Sequence, residues 1–368
     1  MSERPKKDGF EVLHEFVEPA RAALSKETWD YLMGGADTET TLERNRVAID
    51  SIAFRPRVLR NVGKVDMTTE FLGAKLRLPI ILAPIGSLQD FCPAGGIAPA
   101  KAAAQFGVLH MLSSVCKPGL EEVAAAAPGY PKLFQLYVRG NPEWVDERIA
   151  AAVKAGYTGV TLTVDLDYYG RRERDLAKRY KPTARRASGN DNSGAGDPFQ
   201  AAFSWDDIKR IRKKYSVPLI LKGIATAEDA LIALEHGIDV VYISNHGGRQ
   251  LDHGLGGIEV LPEIVEAVRG RAKIVVDGGF MRGSDVVKAM ALGADAVGMG
   301  RMQGLALAAA GEAGVVRALE IIEDEVRRVL GLLGVTSFRE LDPRYVTAVA
   351  PISRPGPLAA FPLLDEGY

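Results

Sequence analysis

The sequence predicts an α/β fold, a (β/α)8 TIM barrel with an N-terminal helical extension and a long lid loop after its fourth strand. Three observations carry that prediction. Short β-branched runs alternate with helical patterns from residue 79 onward, the rhythm of a parallel sheet wound with helices. Eight such units occupy residues 79–334, or 256 residues, close to the roughly 250 of a typical barrel. The turn after the first run reads Gly86-Ser87-Leu88, without the GxGxxG that opens a doubly wound open sheet, the competing architecture.

In order along the chain, residues 1–78 form an extension with helical segments. The predicted strands are PIILAPIG (79–86), VLHMLSS (108–114), KLFQLYV (132–138), GVTLTVD (159–165), PLILKGI (218–224), VVYISNH (240–246), KIVVDGG (273–279) and AVGMGR (296–301). They are apolar on both faces, as strands buried in a parallel sheet are. Asn141 caps a helix that begins at Pro142 and that Gly156 closes, the usual order of cap, proline and glycine. Thr226 caps the next clear helix, with Asp229 three residues on and Gly237 at its end. In the last helix Val315, Leu319, Ile322, Val326 and Val329 are spaced four, three, four and three apart, one apolar stripe. The 38 residues 166–203 include ARRASGNDNSGAGDPF; loops of that length are functional lids or disordered segments, and a mobile loop is expected over about 174–203. Residues 335–368 form a proline-bearing tail, and residues 1–368 read as a single domain.

Composition narrows the functions. Hydrophobic residues are 47% and charged residues 25%, an ordinary globular balance. With 46 basic against 47 acidic side chains, the net charge is −1, which removes any sequence-wide case for a nucleic-acid or acidic-membrane partner. Cys92 and Cys116 form no CxxC pair and no metal-finger spacing; they read as packed thiols suited to a reducing cytosol. The N-terminus MSERPKKDGF shows no apolar signal core, and no stretch reaches the roughly 18 apolar residues of a membrane span. A cytoplasmic protein with no metal, nucleic-acid or membrane partner is expected.

A barrel does its chemistry at the C-terminal ends of its strands. Polar residues recur there from the second strand to the eighth: Ser113 and Ser114, Gln135 and Tyr137, Thr163 and Asp165, Lys222, Asn245 and His246, Asp277, and Arg301. The sharpest segment is SNHGGRQLD, 244–252. A histidine at a strand end is often a satisfied core residue, but Arg249 follows three residues later across Gly247-Gly248. A guanidinium that grips a carboxylate beside a base that takes a proton suits an anionic substrate. Asp165 could orient the imidazole and stabilise its protonated form, or merely cap a loop. GGF (278–280) and GMGR (298–301) follow the seventh and eighth strands, where barrels place a phosphate site of backbone N–H groups and a helix N-terminus. Arg301 would add a charged contact there. Lys222 could stabilise an electron-rich ring such as a reduced flavin, or form a structural ion pair.

With those residues placed, the sequence resembles the FMN-dependent L-2-hydroxy acid oxidising family, which includes glycolate oxidase, lactate oxidase and mandelate dehydrogenase. The resemblance runs from about Tyr31 to the final helix. SNHGGRQLD is its most specific element, and FQLYV (134–138), TVDLDYYGRRE (163–173), LKGI (221–224) and DGG…ALGADAVGMGR (277–301) follow the family's order and spacing. The resemblance implies oxidation of a 2-hydroxy acid to the 2-oxo acid with two electrons passed to FMN. It implies His246 as base with Asp165 as its partner, and Arg172 and Arg249 on the substrate carboxylate. Tyr31 and Tyr137 would hydrogen-bond the carboxylate and hydroxyl. Flavin contacts would come from Ala83, Pro84, Ile85, Gly86, Ser113, Gln135, Thr163, Lys222 and Ser244, and phosphate contacts from Asp277, Gly278, Gly279, Phe280, Met281, Gly300 and Arg301. A homotetramer or larger assembly is implied as well.

The departures are informative. The family commonly has arginine two residues after DGG, where this chain has Met281 followed by Arg282. The usual Thr-Pro after TVD is Leu166-Asp167, followed by Tyr168-Tyr169. Val115 stands where glycolate oxidase has a pocket tryptophan, and Tyr169 where it has an aliphatic side chain. A reshaped pocket for a bulky side chain is therefore expected, unless Asp167 points inward and favours a polar or cationic tail. Gly86, small and beside the expected flavin, and the lack of a membrane-binding insertion favour oxygen as acceptor. The alternatives are a dehydrogenase serving a quinone or protein acceptor and, more remotely, an isomerase or other non-redox barrel.

Overall fold

The computed structural model describes residues 9–183, 198–352 and 356–367. Ahead of the barrel come helices α1 (Val17–Ala23), α2 (Lys26–Met33) and α3 (Thr40–Asp50), then strands β1 (Ile52–Phe54), β2 (Thr69–Phe71) and β3 (Ala74–Leu76). The barrel strands are β4 (Ile80–Leu82), β5 (Leu109–Ser113), β6 (Leu133–Leu136), β7 (Gly159–Thr163), β8 (Leu219–Ile224), β9 (Val240–Ile243), β10 (Lys273–Val276) and β11 (Ala296–Met299). They pair in chain order, all parallel, and β11 closes the ring on β4 through Val297↔Ile80. All eight expected strands are present. The expected runs extend up to four residues past the ordered ladders, because the polar ends turn out of the sheet into the loops that carry the site.

Side chains alternate along each strand between the barrel interior and the helix layer. Ile81, Met111, Leu133, Ile220 and Val275 fill the interior. Phe71 and Leu76, both 0% exposed, pack with them from the antiparallel β2–β3 hairpin and close the N-terminal mouth. Each such burial is worth about 1.5–3 kcal/mol. This hairpin, and the antiparallel pairing of β1 with β12 (Val346–Ala348), are absent from the sequence reading; three-residue strands are too short for a period of two to show. Higher in the barrel Tyr242 is matched by a glycine: a Cβ on Gly298 would lie 2.0 Å from the Tyr242 hydroxyl.

The capping residues act as expected. Asn141 accepts the Trp144 N–H at 3.0 Å and Thr226 that of Asp229 at 3.2 Å. The long C-terminal helix, Arg301–Leu333, is broken at Ala310 and Gly311 by non-helical dihedrals. Its first part is the short extra helix at the barrel top, and its second the eighth barrel helix. There Val315, Leu319, Ile322 and Val326 are buried, Val329 is half-buried against the same core, and Leu330 beside it is fully buried. Of the expected lid, residues 184–197 lie outside the described residues. Its flanks dock on the barrel: the Thr183 N–H donates to Asp90 Oδ2 at 2.9 Å, and buried Gln200 donates to the Thr163 carbonyl at 3.1 Å. Among the described residues, no helix is long and apolar enough to cross a membrane.

Candidate active site

The loops beyond the strands, with α2 and α3, enclose a cleft of about 1590 Å³ including its open mouth. Tyr31, Val115, Tyr137, Tyr169, Arg172, His246 and Arg249 line it, as do Ala83, Pro84, Ile85, Gly86, Lys222, Asp277, Gly278, Gly279, Phe280, Met281, Gly300 and Arg301. Ser113, Gln135, Thr163 and Ser244 are buried behind that wall.

His246 follows β9. Its Nδ1 lies 3.0 and 3.2 Å from the two oxygens of Asp165, and its Nε2 lies 3.2 Å from the Tyr137 hydroxyl. A carboxylate on Nδ1 fixes the tautomer that leaves Nε2 free to accept a proton. The backbone is held as firmly: His246 sits at φ +59°, uncommon for a side chain of its size, and its N–H donates to Ser244 Oγ at 3.0 Å. Gly248 must be glycine, because a Cβ would meet the Leu42 backbone nitrogen at 2.4 Å. Burial lowers the His246 pKa; Asp165 opposes this, and the Lys222 and Arg172 cations reinforce it, for a net fall. Burial alone would raise Asp165, but the charge and hydrogen bond of His246 carry it below the ordinary carboxylate value. The neutral base is thus available below the ordinary histidine pKa of about 6.5. The acid limb of kcat/KM is expected below that pH, rising with pH as His246 loses its proton; a limb above pH 7 in a pH–rate profile would contradict this.

Three guanidinium groups converge beside it. Arg249 Nη1 and Arg301 Nη2 each donate to the Gly34 carbonyl at 2.8 Å, and Arg301 Nη1 donates to that of Gly247 at 2.9 Å. Arg249 stacks 4.8 Å from the Tyr31 ring centroid, and Arg172 lies 6.0 Å from it. Burial, then the neighbouring Arg249, pushes Arg301 down to about 9. Cations crowded this closely call for anions in the cleft.

The pattern fits FMN. Lys222 Nζ and Asp277 Oδ1 flank Ser244 Oγ at 2.9 and 2.7 Å, which holds the ammonium at the cleft wall. Buried Gln135 donates to Thr163 Oγ1 at 2.8 Å while its own Oε1 and the Arg301 Nε have no partner, an acceptor and a donor left for a ligand. The helix beginning at Arg301 adds the unsatisfied N–H groups of its first turn. Met281, 2% exposed, brings no charge. Arg282 does not replace the family's arginine: its guanidinium turns away to Glu325 at 2.5 Å and to the Ala360 carbonyl at 3.2 Å. Met281→Arg is expected to tighten FMN about tenfold, the lower end of a hydrogen bond to a charged group. An unchanged FMN dissociation constant would mean that Arg301 and the backbone already suffice.

Several supports escaped the sequence reading. Asn45 and Asn245 exchange amide hydrogen bonds at 3.0 and 2.9 Å. Arg46 bonds the Gly279 carbonyl at 3.0 Å and Asp285 at 2.7 Å, and Gly279 approaches the Asn45 backbone so closely that a Cβ would sit 2.9 Å from it. Gln250 Nε2 donates to the carbonyls of Asp165 and Tyr168, both at 2.8 Å. Asp252 accepts the Thr41 N–H at 2.7 Å and ties the SNHGGRQLD loop to α3. The signal was there in LERNR, but nothing local places α3 over the barrel top. Gly86 leaves less room than its missing side chain implies: a Cβ there would be 2.9 Å from Val115 Cγ2. Asp167 is exposed and off the cleft wall.

Residues 20–348 match the family described as FMN-dependent dehydrogenase. Glycolate oxidase 1 of Zea mays is 39% identical over 348 residues, covering 90% of this chain and 94% of that protein. A peroxisomal (S)-2-hydroxyacid oxidase of Arabidopsis thaliana is 39% identical over 345 residues, covering 90% and 95%. A crystal structure of mandelate oxidase superposes with a TM-score of 0.85 at 35% identity, covering 94% of this chain and all of that one.

Proposed function

Because this chain belongs to the FMN-dependent dehydrogenase family, we propose that it oxidises an L-2-hydroxy acid, R–CH(OH)–COO⁻, to the 2-oxo acid, with oxygen as acceptor and hydrogen peroxide as second product. The observation that carries this reading is the His246–Asp165 pair facing the same cleft as Arg172 and Arg249. FMN, when bound, takes up the two electrons. Arg172 and Arg249 hold the carboxylate, with Tyr31 and Tyr137 as hydrogen-bond donors. His246 Nε2 receives the proton released, and Asp165 stabilises the imidazolium. Lys222 offers positive charge on the cofactor side.

The acceptor follows the relatives, which are named oxidases; a dehydrogenase serving a quinone is the second reading, since Val115 fills the space above Gly86. Free Cys92 and Cys116 support a reducing compartment such as the cytoplasm. The family resemblance supports an assembly of several copies.

Val115 and Tyr169 open one wall and build another, and Asp167 stays outside, so a bulky side chain is favoured. Mandelate or 2-hydroxyoctanoate is expected to exceed glycolate in kcat/KM by at least about tenfold, a gap of about 1.4 kcal/mol, which two buried methylenes would supply. Val115→Trp should reverse the order. Steady-state rates on glycolate, lactate, 2-hydroxyoctanoate and mandelate, with hydrogen peroxide measured in parallel, test both points. A preference for glycolate removes the pocket argument; turnover without peroxide favours the dehydrogenase.

A further inference from the structure

We infer that Tyr169 is a positioning residue for the carboxylate site: its phenol fixes the Arg172 guanidinium so that the terminal edge faces the cleft. The inference rests on the carboxylate-binding role proposed above. Arg172 immediately precedes the short helix Glu173–Ala177 and is 7% exposed. Its Nη1 donates to the Tyr169 hydroxyl, and its Nε donates to the Arg249 carbonyl at 3.4 Å. The guanidinium carbon stacks 4.2 Å from the Tyr169 ring centroid. Tyr169 lies three residues before Arg172 on the same loop and lines the same cleft.

A guanidinium has five N–H donors in a rigid plane. With Nε and one Nη1 hydrogen engaged, the remaining Nη1 hydrogen and the two on Nη2 form the edge that grips a carboxylate through two parallel bonds. Without such partners the arginine side chain has about 2 kcal/mol of rotamer freedom to lose on binding. The stacked ring and the hydroxyl remove that freedom in advance. Tyr169 therefore does two things with one side chain: its face walls the pocket, and its hydroxyl aims a cation that reads the carboxylate. An aliphatic residue could do only the first.

The test compares holoenzyme carrying Tyr169→Phe or Tyr169→Leu with the parent, on (S)-mandelate and on its neutral amide. Tyr169→Phe is expected to raise KM for mandelate about tenfold, with kcat reduced less and KM for the amide unchanged. In an Arg172→Gln background the same substitution should have no further effect on mandelate. Equal losses on acid and amide, or losses that persist without Arg172, would make Tyr169 a wall and nothing more. A crystal structure of the Tyr169→Phe holoenzyme supplies a readout that needs no turnover. Arg172 should lose its single rotamer there, and an unmoved, fully ordered guanidinium overturns the inference. A parent enzyme inert to mandelate, lactate and glycolate would instead remove the carboxylate reading, and the Arg172 rotamer would still report on Tyr169.

Discussion

Replacing His246 with alanine is expected to slow reduction of the bound flavin by substrate roughly 10²–10⁴-fold, the usual worth of a positioned general base. The imidazole is the group whose free nitrogen faces the cleft with a carboxylate on its far side, and Asp165 at 3.0 Å is placed to stabilise the charge it gains. Flavin content should survive, because Ser244, Lys222 and Asp277 keep their mutual contacts. The change also strands Asp165, whose side chain is only 14% exposed, so some stability is lost with the rate; leaving a buried charged group unpaired costs about 3–5 kcal/mol. Measuring reduction by stopped flow at equal flavin occupancy separates the two effects. A variant that reduces its flavin at the parent rate would assign the base elsewhere.

Arg249→Ala is expected to lower kcat/KM by roughly 30- to 5,000-fold, corresponding to the 2–5 kcal/mol of a truncated buried charge contact. Its structural cost is small, since the Gly34 carbonyl keeps its bond from Arg301 at 2.8 Å. The loss therefore falls on the substrate carboxylate. Lysine in its place should recover little, because a point charge cannot make two parallel bonds. A neutral amide substrate should lose far less than the acid; equal losses would contradict the assigned role.

The barrel was legible because its signals are local and repeated. Caps at Asn141 and Thr226 and eight apolar runs need no tertiary information. The His246, Arg249, Asp165 and Arg172 cluster was legible through motif resemblance and the rule that barrels work at their strand ends. What stayed hidden depends on the fold in space: the β2–β3 plug, the turn of Arg282 toward Glu325, and Val115 filling the space above Gly86. Asn45 and Arg46 illustrate the same limit. They sit 200 and 233 residues from Asn245 and Gly279 in sequence and meet them only because the extension folds over the barrel mouth.

The most direct test of the account is anaerobic titration of the flavin-loaded protein with the L and D forms of 2-hydroxy acids, followed through the flavin's visible absorption. An L-2-hydroxy acid is expected to bleach the band and yield one 2-oxo acid per flavin reduced, its D form is not, and His246→Ala should stay oxidised on the same timescale. A flavin left oxidised by every acid in the panel, or reduced equally well by both forms and by the His246 variant, would contradict it.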